Sequence, residues 1–150
     1  MACGSSKKNP RYKSCVRYYN NNTQALAAGA TVQLQIAGSR VTDTGVSIET
    51  QPSSYTILTR GLYHISADVE INATTGGDVE IIAYMDGVEL PCMKKTKTLE
   101  VGYDTIHTET DLEIDACCCS VSKTITFAVK SVSAAIGSVV HVCSGIIKEA

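Results

Sequence analysis

Between Leu62 and Ala73 the chain alternates apolar and polar residues without a slip. Tyr63, Ile65, Ala67, Val69, Ile71 and Ala73 fall on one side, and His64, Ser66, Asp68, Glu70 and Asn72 on the other. Only a β-strand, whose side chains point to opposite faces at a period of two, turns that order into one apolar and one polar surface. The polar row faces water or another protein, and the pattern alone leaves both open.

The rest of the chain is punctuated in the same style. Thr31–Ile36 alternates, Gly38-Ser39 breaks it, and residues 41–48 give a looser strand around Asp43-Thr44-Gly45. Strands are also expected over 55–59, 78–85, 124–132 and 138–147, with 131–136 as loop. Gly76-Gly77 and Asp86-Gly87 read as hairpin turns, and residues 92–101 and 105–115 as a further pair around Gly102-Tyr103-Asp104. No helix of any length fits between these signals. Many short strands at regular spacing predict an all-β fold, a two-sheet antiparallel sandwich or barrel of about ten strands.

The 150 residues suffice for one domain with a real core. Its apolar part is aliphatic, with no Trp and a single Phe, Phe127. No apolar run reaches the roughly 18 residues that span a bilayer, and Lys7-Lys8 follow too soon for a signal peptide. A soluble protein made in a cytoplasm is the expectation, with no membrane partner. Seven cysteines, Cys3, Cys15, Cys92, Cys117, Cys118, Cys119 and Cys143, are then reduced by default, with disulfides within or between protomers, reaching Cys3, Cys15 or Cys92, as the alternative. Adjacent cysteines in an extended chain point apart, so the triplet makes a poor zinc motif.

Charge is unevenly spread. Residues 1–17 hold five of the thirteen bases, Lys7, Lys8, Arg11, Lys13 and Arg17, and none of the fifteen acids. Residues 1–24 therefore read as a basic arm or anchor before an acidic domain at 25–150. That acidic domain would repel phosphate, so nucleic acid is not an expected partner.

Two strands are apolar on both faces. Ile82 and Tyr84 lie opposite Val79, Ile81, Ala83 and Met85, and Val140, Val142 and Ile146 lie opposite Val139 and Cys143. In a two-sheet sandwich an apolar outer face is covered only by another chain. Ile82, Tyr84, Val140, Val142 and Ile146 are thus the expected subunit-interface residues.

Three segments carry a family resemblance. Arg60-Gly61-Leu62-Tyr63-His64-Ile65 looks like a Pro-Gly-aromatic strand opening, with Arg60 where Pro is usual. Ala83-Tyr84-Met85-Asp86-Gly87-Val88-Glu89-Leu90-Pro91 resembles an Asn-Gly hairpin closing on Leu-Pro, with Asp86 for Asn. Val142-Cys143-Ser144-Gly145-Ile146-Ile147 looks like a final strand whose Ser-Gly packs near a three-fold axis. Taken in order, residues 25–148 resemble the compact jelly roll of the tumour-necrosis-factor cytokines and of complement and collagen-like globular heads. The likeness is strongest to bacterial and phage relatives that cap spore-surface and virion fibres.

The resemblance implies a homotrimer that binds and does not catalyse. With no Gly-X-Y stalk, it points to a virion component, a capsid decoration or head-fibre protein anchored to capsid through residues 1–24. The alternative is a trimeric receptor- or glycan-binding head, or an adhesin on a bacterial cell or spore surface, with a host surface glycan or protein as partner.

Chemistry-bearing residues are few. His107, Glu109, Asp111, Glu113 and Asp115 share one face of a strand, which suggests a divalent-cation site, since hard cations want several oxygens. The alternative is a solvated face whose carboxylates pair across strands with Lys95 and Lys97. His141, near the axis if the resemblance holds, is a further candidate for an ion. No Gly-x-Ser-x-Gly, His-Glu-x-x-His or phosphate-binding Gly loop occurs. No enzyme and no cofactor are expected.

Overall fold

The structure, a computed structural model, describes residues 14–44, 47–115 and 122–150. Its strands are β1 (Cys15–Asn20), β2 (Gln24–Leu26), β3 (Thr31–Gln33), β4 (Ser39–Thr44), β5 (Ile48–Gln51), β6 (Ser54–Ile57), β7 (Gly61–Thr75), β8 (Gly77–Met85), β9 (Val88–Glu89), β10 (Lys95–Leu99), β11 (Gly102–Ile114), β12 (Lys123–Ser131) and β13 (Ile136–Lys148). One sheet runs β11-β7-β13-β1-β4, with β2 also on β13. The other runs β10-β8-β12-β6-β5, with β3 on β12 and β9 on β8. Every pairing between these strands is antiparallel, and the two sheets stack as a jelly-roll sandwich.

The alternation in β7 is the spine of the core. Tyr63, Ile65, Ala67, Val69, Ile71 and Ala73 are all buried, and they meet Val79, Ile81, Ile125, Phe127 and Val129 of the opposite sheet. Tyr55, fully buried on β6, joins the two layers. Its hydroxyl lies 2.8 Å from the Ser144 hydroxyl and 3.3 Å from the Ser144 carbonyl oxygen on β13. Burial pushes the phenol well above its ordinary pKa, so it stays a neutral hydrogen-bonding group.

The Asp86-Gly87 hairpin forms as expected. Both residues have positive φ, 52° and 81°, which a two-residue turn between right-twisted strands requires. Gly76-Gly77 does something else. β7 pairs with β11 and β13, whereas β8 pairs with β10 and β12, so the glycines carry the chain from one sheet to the other. A Cβ on Gly77 would lie 2.8 Å from the Ala135 backbone nitrogen. Residues 92–101 and 105–115 are likewise not partners, since β10 and β11 belong to different sheets.

Two further expectations change. Residues 15–20, inside the expected arm, form β1 between β13 and β4, and β2 also precedes residue 27. Lys7, Lys8, Arg11 and Lys13 lie outside the described residues, while Arg17 is exposed on β1. The interface set also divides. A bulge between Val139 and His141 shifts the phase of β13, so Val142 and Ile146 turn into the protomer's own core. Ile82 is buried without a second chain, beside its register partner Ala128. Tyr84 and Val140 remain half-buried, but on different sheets.

Replacing Tyr55 with Phe leaves a buried serine with an unmet polar group. It is expected to lower the free energy of unfolding by about 1–3 kcal/mol in urea melts. An unchanged midpoint would show that the bridge between the sheets contributes nothing.

Candidate functional site

The outer face of the β7-containing sheet gathers the histidines and most of the candidate acids. Register sets its rows. Thr105, Glu70 and His141 share one, His107, Asp68 and Cys143 the next, Glu109, Ser66 and Gly145 the third, and Asp111, His64 and Ile147 the fourth. Lys95 and Lys97 are not the partners of these acids. Lys97 instead bonds Asp104 at 2.8 Å and the Thr105 carbonyl at 2.9 Å.

His107 is held from both sides. Its Nδ1 lies 2.6 Å from Asp68 Oδ1 and its Nε2 2.7 Å from Glu109 Oε2. A ring can donate at both nitrogens only as the imidazolium. Partial burial alone would lower its pKa, but hydrogen bonds and charge from Glu109 and Asp68 outweigh that and hold it above the ordinary histidine value. The arrangement is a charged bridge across two strands.

Asp111 belongs to a separate group. His64 Nδ1 lies 2.8 Å from Asp111 Oδ1, directly across the ladder. Hydrogen bonds from His64 and then Glu149 hold the Asp111 carboxyl below the usual carboxylate range. Glu149 reaches this place because the chain end is laced to the start of β7. Glu149 N donates to Leu62 O at 2.7 Å and Leu62 N to Ala150 O at 3.1 Å.

The single row expected from β11 is therefore two clusters. Residues two apart on a strand stand about 7 Å apart; His107 spans that distance to Glu109, whereas Asp111 pairs across the ladder with His64. Glu113 and Asp115 join neither, and line a shallow cleft with Arg60, Gly61 and Ile114. His141 stacks on Tyr19, with ring centroids 5.8 Å apart, and its Nδ1 bonds Asn21 Oδ1. Ser144 of the Ser-Gly pair faces the core, while Gly145 lets Val16 and Arg17 of β1 lie close.

The cysteines do not share one state. Cys15 is disulfide-bonded, against the reduced default, while Cys92 and Cys143 are free thiols. Arg17 Nη2 lies 3.7 Å from Cys143 Sγ. Cys3 and the Cys117–Cys119 triplet fall outside the described residues. Sequence reasoning passed over Glu149, a polar residue near the chain end with no pattern around it.

No family model matches the sequence, and no curated protein does. Solved structures do match in fold. Murine APRIL at pH 5.0 has a TM-score of 0.68 and 12% identity, covering 91% of this chain and 98% of that one. Murine APRIL at pH 8.0 gives 0.63 and 14%, with the same coverage. The PRD1 vertex protein P5 gives 0.56 and 13%, covering 90% of this chain and 95% of the other. The fold is a jelly roll of the tumour-necrosis-factor type. In this TNF-like jelly roll the histidine-bearing face belongs to the sheet that contains β1, β7 and β13.

The His107 bridge fixes the sign of a pH effect. A raised folded-state pKa stabilises below the unfolded value, near 6.5, and the gain fades as pH rises through the folded value. The melting difference between wild type and His107→Gln should be larger at pH 6 than at pH 9. Equal differences at both values would contradict the bridge.

Proposed function

We propose that the chain is a non-enzymatic, trimer-forming structural head of a virion, a capsid decoration or head-fibre protein. The observation that carries this reading is its likeness in fold to the PRD1 vertex protein P5 along 90% of its length. Lys7, Lys8, Arg11 and Lys13 precede the sheet with no acid among them, which suits a docking segment for an acidic surface of the capsid.

The face that would meet neighbouring subunits is the outer side of the β7 sheet. The Ser66–Gly145 pair on it is small, flanked by Glu109 beside Ser66 and Arg17 beside Gly145. Small residues flanked by charged ones permit close approach at the centre and directional pairing at the rim. A trimeric receptor- or glycan-binding head is the second reading. It is favoured by the exposed Val101 and Tyr103 at the β10–β11 turn, which offer apolar surface at one tip.

Light scattering is expected to give three times the 15.9 kDa chain mass. Ser66→Trp, placed in the middle of the face, should yield a folded monomer by circular dichroism. A wild-type monomer would sink the trimer reading. Removing residues 1–13 should abolish capsid binding while leaving the trimer intact, and retained binding would sink the anchor.

A further inference from the structure

We propose that His64, Asp111 and Glu149 form a binding site for a divalent transition-metal ion of the zinc class. Each offers one donor atom, an imidazole nitrogen or a carboxylate oxygen, and these atoms all lie within 4.8 Å of one another. Zinc bonds to such donors run about 2.0–2.2 Å, which places two ligands of one tetrahedral ion roughly 3.4 Å apart. Small side-chain rotations, chiefly of the exposed Asp111, close that gap. His64 and Asp111 keep 29% and 58% of their side-chain surface exposed, so an ion can enter and keep water in its fourth position.

The second cluster on the same face isolates what matters. His107, Asp68 and Glu109 are the same residue types, in equally close contact. Their donors diverge, because Asp68 meets Nδ1 and Glu109 meets Nε2 on opposite sides of the ring. No single ion can replace both contacts. At His64 the ring meets Asp111 through Nδ1, and the second carboxyl, Glu149, hydrogen-bonds to that same aspartate. All three donors thus lie on one side of the His64 ring, within 4.8 Å of one another.

The backbone holds that grouping in place. His64 and Asp111 are register partners on β7 and β11, and Glu149 is tied to Leu62 on β7 at 2.7 Å. A nitrogen donor among the oxygens favours zinc, cobalt or nickel over calcium or magnesium, which prefer all-oxygen sites. An ion here would pin the chain end to two strands and raise the melting temperature. The site does not depend on the virion reading, and it stands or falls separately from it.

Titration calorimetry with zinc chloride, on the chelator-treated full chain carrying no C-terminal tag, is the test. One zinc per chain is expected, with a higher melting temperature and no comparable response to calcium. Changes beside a metal ligand already weaken binding by roughly 10–100-fold, so Glu149→Gln and His64→Gln should weaken it at least that much. His107→Gln should bind as wild type does. Cobalt should give a visible d–d spectrum without a sulfur charge-transfer band. No zinc binding, unchanged affinity in Glu149→Gln, or a sulfur band marking Cys92 or Cys143 would each overturn the proposal.

Discussion

Everything in this molecule is phased by one strand. β7 is hydrogen-bonded along nearly all of its 15 residues to β11 on one side and β13 on the other. A slip of one residue would turn six core side chains outward and bring five polar ones in, so the register is strongly specified. That demand propagates. It sets Asp111 against His64 and Asp68 against His107. It also forces β13 to absorb the mismatch of its own pattern in a bulge between Val139 and His141.

Local chemistry was legible where local chemistry decides. The period-two alternation of 62–73 predicts β7, and Asp86-Gly87 predicts its turn because positive φ at two successive residues suits few other pairs. Gly76-Gly77 has the same look, yet serves a different need. What separates a hairpin from a change of sheet is the partner of each strand: β7 reaches β13 61 to 85 residues on, while β8 turns to β10 and β12. β1 was hidden for another reason. Its Arg17, Tyr18, Tyr19 and Asn20 read as polar, though the strand is held between β13 and β4.

The candidate site was half visible. Period two placed His107, Glu109 and Asp111 on one face, and the structure keeps them there. The grouping of acids with imidazoles depends on register between strands, and the part played by Glu149 depends on lacing of the chain end. Val142 and Ile146 lie on the opposite side from where strict alternation puts them, because of a bulge that no single residue announces.

The position of β11 at the border of its sheet has a consequence for solubility. A border strand of 13 residues is long, and its outward backbone groups could template growth by another chain. Along it, His107, Glu109, Asp111 and Glu113 set a charge or a titratable ring at every second position. Stacking a second such strand in register would align like charges, which disfavours the ordered ribbons from which fibrils start. The row that pairs with His64 and Asp68 thus also guards the molecule against its own edge.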